Sequence, residues 1–313
     1  MTKMKLTMSG KRTPRIALAV VAIVAIPILA GGCGSDKEST PTTTPTTNSK
    51  CSEPGEHLGT GNDKKVISLS PTATEMVYAI GGLDQMIAVD NMSNFPQAAG
   101  GSDSKLSGLE PNVEAIAGMD PDVVLISYDP GNLKSQLSKL GIEVWEGLAA
   151  TTVEDSYDQI EQLGELTGHQ DGATAVVDCM KKKLDSIVSS SKDLPQRDYY
   201  FELDNMYFSV TSNTFMGDLL SKLNLKSIAD GVEAGNDWPQ LNVEKIVTAD
   251  PDFIFLADTK CCAQNAAAVA GRPGWAAMSA VTNSNIVELD DDVASRWGPR
   301  VVELLQSVVE ATK

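Results

Sequence analysis

Histidine is nearly absent. Only His57 and His169 occur in 313 residues, so any mechanism built on a cluster of imidazoles, including a zinc or manganese receptor site, fails by count. Aromatic residues make up 5% of the chain, and no arginine occurs between Lys65 and Gly168. Basic residues are outnumbered, with 25 Lys plus Arg against 42 Asp plus Glu, and Lys3, Lys5, Lys11, Arg12 and Arg15 lie in a leader that holds no acid. The remaining body is therefore strongly acidic and repels phosphate backbones, which excludes nucleic acid as a partner. What is present is ample apolar material, 42% of residues, enough for one large or two medium domains with real cores.

The basic leader ends at Arg15 and is followed by the apolar run from Ile16 to Ala30. That run is too short for a spanning helix, which needs about 20 apolar residues, and Pro27 interrupts it, so it reads as a signal peptide. Small residues then precede Cys33, an arrangement that resembles the lipobox of bacterial lipoproteins, with Leu29 one place early. The resemblance implies removal of residues 1–32 and acylation of Cys33. From Ser35 to Lys50 the chain is Ser, Thr and Pro with scattered charge. Residues 33–64 are accordingly expected to form an extended tether that holds a folded body close to a membrane.

The folded region repeats itself. Asn112-Val113-Glu114, continuing through Asp120-Pro121-Asp122 into Val123–Ile126, matches Asn242-Val243-Glu244, continuing through Asp250-Pro251-Asp252 into Phe253–Leu256. In each copy Asn caps a short helix, the proline forces it to stop at the preceding Asp, and the apolar run reads as a strand covered on both faces. A weaker echo pairs Ile67–Ser70 with Ser209–Ser212, each a strand that opens into a helix through hydroxyl caps. Two α/β lobes are predicted, over 65–168 and 193–313. Between them Ala173, Val177, Met180, Leu184 and Ile187 recur at helical spacing, predicting a helix over 169–192 about 35 Å long at ~1.5 Å per residue.

Lys65 to Glu75, Asn94-Phe95-Pro96, the two Asn-Val-Glu helices and Trp238-Pro239-Gln240 together resemble the substrate-binding lipoproteins of ABC importers for cobalamin and ferric siderophores, across nearly all of residues 65–313. The resemblance implies two Rossmann-like lobes joined by one long helix, as in class III periplasmic binding proteins, with ligand gripped in the cleft and little closure on binding. It places Phe95, Tyr128, Phe208, Trp238, Asp292, Arg296 and Trp297 at the ligand, and assigns Glu114 and Glu244, one per lobe, to arginines of a two-fold permease. One departure concerns the pocket wall: the cobalamin binder has a tryptophan where this chain has Ser107-Gly108-Leu109.

Scarcity of arginine then bears on the ligand. A catecholate siderophore is polyanionic and asks for several guanidinium or ammonium groups. A near-neutral macrocycle such as a corrinoid suits this chain better, with a hydroxamate siderophore or haem as the alternative. No catalytic residue, cofactor or resident metal is expected: Ser70 lacks a nucleophile elbow and His57 falls in the tether. A monomer is expected. A scaffold or sensor built on the same fold is the remaining class.

After Cys33 the cysteines are Cys51, Cys179, Cys261 and Cys262, in a chain read as exported to where disulfides persist. Neighbouring Cα atoms stand ~3.8 Å apart, below the ~4.4 to 6.8 Å of usual disulfides, which disfavours a bond between Cys261 and Cys262. The expected pairing is Cys179 with one of these two and Cys51 with the other.

Overall fold

A computed structural model describes residues 50–55, 59–101 and 104–313. The signal peptide, Cys33 and His57 lie outside the described residues. The first lobe alternates β1 (Val66–Ser68), α1 (Pro71–Ala79), β2 (Met86–Val89), α2 (Val113–Ala117), β3 (Val123–Ile126), α3 (Leu133–Ser138), β4 (Glu143–Glu146) and α4 (Val153–Thr167). The long helix α5 (Gln170–Ser191) follows. The second lobe comprises β5 (Arg197–Glu202), α6 (Phe215–Ser221), β6 (Leu225–Ser227), α7 (Val243–Ala249), β7 (Phe253–Leu256), α8 (Ala266–Ala270), α9 (Ser279–Thr282), β8 (Ile286–Glu288), α10 (Asp291–Ala294) and α11 (Val301–Thr312).

Two separate parallel sheets result, ordered β2-β1-β3-β4 and β6-β5-β7-β8, the same order in each lobe. The repeated sequence produces repeated chemistry. Asn112 and Asn242 each accept a hydrogen bond from the backbone N–H three residues on, as Ser70 and Thr214 do at α1 and α6. Asp122 and Asp252 each accept from the backbone N–H of the neighbouring strand's start, Lys65 and Asp198. Asp120 and Asp250, expected to leave the helical region ahead of proline, do so on the left-handed side, at φ 52° and 46°. Aspartate tolerates that conformation better than most residues.

A single apolar core spans both lobes. It takes Val66, Val123 and Leu125 from the first sheet, Tyr199, Phe201, Phe253 and Phe255 from the second, and the inward faces of α1, α4, α5, α6 and α11 between them. The helical-spacing residues Ala173, Val177, Met180, Leu184 and Ile187 are all buried there. Each sheet's other face carries a smaller cluster of its own, around Ile116 and Val124 in one lobe and around Ile246 and Trp275 in the other.

Two expectations are corrected. Cys51 pairs with Cys179, at a Cα separation of 5.6 Å, while Cys261 and Cys262 are free thiols. Local geometry rightly spoke against a bond between neighbours, but spatial proximity, which decides pairing, brings the N-terminal strap onto α5. For the same reason the tether does not extend to residue 64. Cys51 and Ser52 are buried, Ser52 donates to Glu303 on α11, and the backbone N–H of Asn62 bonds to Thr167.

Candidate functional site

Loops at the carboxyl ends of β1, β2 and β3 form one wall of the site, where open parallel sheets place their ligands. Ser70, capping α1, shares a hydrogen bond of 2.5 Å with Ser127, the residue following β3. Asp90 follows β2, where burial pushes its carboxyl upward against hydrogen bonds from Ser93 and the charge of Arg296. Gly108 crosses over β1 so closely that a Cβ there would stand 2.5 Å from the carbonyl oxygen of Leu69. That close passage presents Leu109. Asp90, Gly108, Leu109 and Ser127, with Tyr128 and the segment from Ser295 to Trp297, line a cavity of about 300 Å³.

A second cavity, of about 250 Å³, adjoins the same Ser295-Arg296-Trp297 segment from the other lobe. Its wall is apolar: Phe201, Leu203, Val210, Phe215, Met216 and Trp238, with Ala149 and Ala150 from the loop after β4. The two half-pockets thus meet at the segment between α10 and α11. Several large apolar side chains at this rim stay in water, with exposures of 55% for Met92, 70% for Leu109 and 53% for Trp238. Such a cluster of wet apolar surface marks a binding site more than a fold requirement.

Among the described residues Arg296 is the sole Lys or Arg lining either half-pocket, and both of its Nη groups are engaged. It donates to Glu75 (2.6 Å), the Asn94 side chain (2.9 Å), the Met92 carbonyl (3.0 Å) and Asp292 (3.0 Å). Arg300 grips the same Glu75 carboxylate and lies 4.3 Å over the Phe95 ring. Glu75 is 1% exposed, so a carboxylate of the first lobe is neutralised by two guanidiniums from the second lobe's C-terminal segment. Burial raises the Asp292 carboxyl, but hydrogen bonds from Lys260 and Asn94 and the charge of Arg296 hold it below its ordinary value. Trp297 is fixed by its indole N–H to Gln159 at 2.8 Å.

Of the residues expected at the ligand, Tyr128, Trp238, Asp292, Arg296 and Trp297 come together here. Phe95 does not. It lines a different crevice with Arg300, Glu303 and Leu304 and meets Tyr78 edge-on, because the stacking partner it finds is the back of Arg300. Phe208 is not among the residues lining either half-pocket. It is held in a β-bridge to Gln240. Glu114 and Glu244 are exposed at matching positions in α2 and α7, and neither makes an ion pair among the described residues. Sequence reasoning missed Glu75, whose signal was a lone acid in the otherwise uncharged α1.

A second buried charge group lies inside the second lobe. Glu202 is wholly buried and receives both arms of Arg272 at 2.6 Å, while Arg272 stacks on Trp275. Asp258 beside it is also fully buried, and neither of its carboxylate oxygens has a hydrogen-bond partner. Burial, and then the charge of Glu202, push its pKa up to about 7.

Two parallel-sheet lobes that share a rim with a half-pocket on each side have the architecture of a bilobed receptor. Comparison with known proteins agrees. Residues 66–293 match the family model described as periplasmic binding protein, and the chain belongs to that family, whose members are substrate-binding proteins for transport and not enzymes. Among similar chains, the ABC transporter substrate-binding lipoprotein YvrC of Bacillus subtilis is 30% identical over 258 residues, 79% of each chain. The cobalamin-binding protein of Halobacterium salinarum is 27% identical over 256 residues, 79% of this chain and 69% of that one. Among solved structures, the vitamin B12 binding protein BtuF of Vibrio cholerae superposes with a TM-score of 0.68 at 21% identity, covering 80% of this chain and 97% of that one. The haem-binding protein BhuT gives 0.70 at 18%, with 80% and 98% covered. This protein is thus an extracytoplasmic, periplasmic-type substrate-binding protein of an ABC importer. Among the described residues no helix is long and apolar enough to cross a membrane.

Proposed function

We propose that the protein captures a bulky, near-neutral metal chelate, a corrinoid such as cobalamin, between the two half-pockets and delivers it to an ABC permease. One observation carries this reading: the cleft offers wide apolar and aromatic surface, while both Nη groups of its single cation are committed to four partners within the protein. A polyanionic catecholate complex would enter with its charge unmatched, and so would the propionates of haem. Transferring unpaired charge out of water is costly. Tyr128 and Trp238 supply the flat, rigid faces that a planar macrocycle requires, one from each lobe.

A ferric hydroxamate complex, which carries little net charge, is the second reading favoured by the same absence of free cations. Glu114 and Glu244 are proposed to pair with arginines of a two-fold permease, since both project freely from equivalent helices. Acylation of Cys33 would keep the monomeric receptor at the outer face of the cytoplasmic membrane. Labelling with a palmitate analogue, lost in Cys33→Ser, tests that anchor.

Calorimetric titration with cobalamin, a ferric hydroxamate, a ferric catecholate and haem tests the ligand. Saturation by cobalamin at one equivalent, with no heat from the catecholate, is the expected result. Tighter binding of the catecholate would overturn the reading.

A further inference from the structure

Cys261 and Cys262 are adjacent, both reduced, one exposed and the other half-exposed. Among the described residues every other cysteine is consumed in the Cys51–Cys179 bond, so no third thiol competes for either. Their loop is held firmly. The Asp291 carboxylate accepts from the backbone N–H groups of Thr259 (2.9 Å), Lys260 (2.8 Å) and Cys261 (2.9 Å), and from the Thr259 hydroxyl at 2.7 Å. The Asp258 carbonyl accepts from the N–H groups of Cys262 and Gln264, and Ala263 turns the chain sharply at φ 53°. Lys260 is drawn away to Asp290 and Asp292, at 2.7 Å each. The two thiols sit on consecutive residues, and desolvation, then the neighbouring Cys262 thiol, raise the Cys261 thiol above its ordinary value.

We propose that Cys261 and Cys262 form a preorganised dithiol site for trivalent arsenic, distinct from the chelate cleft. The chemistry balances without an oxidant. An organoarsenic oxide, R–As=O, condenses with two thiols to give R–As(S–Cys)₂. Two arsenic–sulfur bonds form, the arsenic–oxygen double bond breaks, and oxygen leaves with both thiol protons as water while arsenic stays trivalent. No thiolate need be prepared in advance, which suits the Cys261 thiol, whose ionisation is discouraged by desolvation, then by the neighbouring Cys262 thiol and the carboxylates of Asp291 and Asp258. A bridging arsenic atom also enlarges the ring by one member over a direct sulfur–sulfur bond, relieving the short Cα separation that disfavours that bond. Because the loop is fixed before binding, the second sulfur engages at high effective concentration and little ordering cost remains.

The experiment treats the exported chain with phenylarsine oxide and follows intact mass and affinity. A single adduct is expected, corresponding to loss of one water, reversed by excess ethanedithiol. Cys261→Ser and Cys262→Ser should each weaken binding by roughly a hundredfold or more, the scale of a lost chelate, and the double variant should form no adduct. Thermal melts of the double variant, expected to be unchanged, separate loss of the site from loss of the fold. An adduct that persists in the double variant would overturn the proposal. So would single variants that bind as tightly as the parent, or a purified chain in which neither thiol reacts with a monothiol reagent.

Discussion

The two lobes share strand order, capping residues and the Asp-Pro-Asp turn, yet they settle their buried charge differently. In the first, Glu75 has no cation of its own lobe and is neutralised by Arg296 and Arg300 from the segment around α11. In the second, Glu202 is neutralised at home by Arg272, and an additional acid, Asp258, is left without a partner. A duplicated frame therefore fixes where elements lie, while the loops and termini decide which lobe depends on the other. The first lobe cannot satisfy its interior alone. The walls of the cleft follow the same division, with polar Asp90 and Ser127 on the first lobe's side and an almost wholly apolar face on the other.

That contrast can be tested most severely at Glu75. Glu75→Ala strands two guanidiniums in a dry interface, and the expected loss is about 3–5 kcal/mol in urea unfolding, the usual cost of breaking a buried pair. A loss under 1 kcal/mol would show that the lobes do not lean on each other through this carboxylate. Removing the strap's anchor with Cys179→Ser should cost about 2–4 kcal/mol, by the general behaviour of disulfides, measurable in the same assay.

At the rim, Trp238→Ala and Tyr128→Ala should each weaken ligand binding by about 2 kcal/mol, roughly thirtyfold, if each lobe supplies an aromatic hot spot. Charge reversal at Glu114 and Glu244 should leave that affinity untouched and abolish uptake; altered affinity would count against docking.

A pH-dependent effect concerns the second lobe's spare acid. The Asp258 carboxyl has a folded pKa raised to about 7 from an ordinary value of 3.8. Between those limits the native state binds the extra proton, so stability is fully present at low pH and declines as pH rises through 7. Asp258→Asn removes this penalty. The variant's melting temperature should gain on the parent's between pH 5 and pH 8, and a constant gap would contradict the assignment.

The long helix, the twin sheets and the capped Asn-Val-Glu helices were legible because each rests on local pattern: helical spacing, four-residue apolar runs, a cap before a hydrophobic stretch. Tyr128, Trp238 and Arg296 were expected at the ligand from family resemblance, and the structure sets them along the two adjoining half-pockets. Phe95 was not, since nothing local told it that Arg300, two hundred residues away in sequence, would supply its stacking surface. The Cys51–Cys179 bond was hidden for the same reason. It depends on a strap of chain lying across α5, a long-range event that the strap's glycine- and charge-rich composition did not announce.

The interior that runs unbroken from one sheet through α5 to the other has a further implication. Hinged receptors bend at a crease where few apolar contacts cross, whereas among the described residues one apolar core joins the lobes, so swinging one half away would wet aromatic and aliphatic surface on both. A transporter meeting the loaded receptor therefore encounters nearly the same silhouette as the empty one. News of the cargo must reach it through the guest itself, or through the side chains that the guest displaces at the cleft's lip.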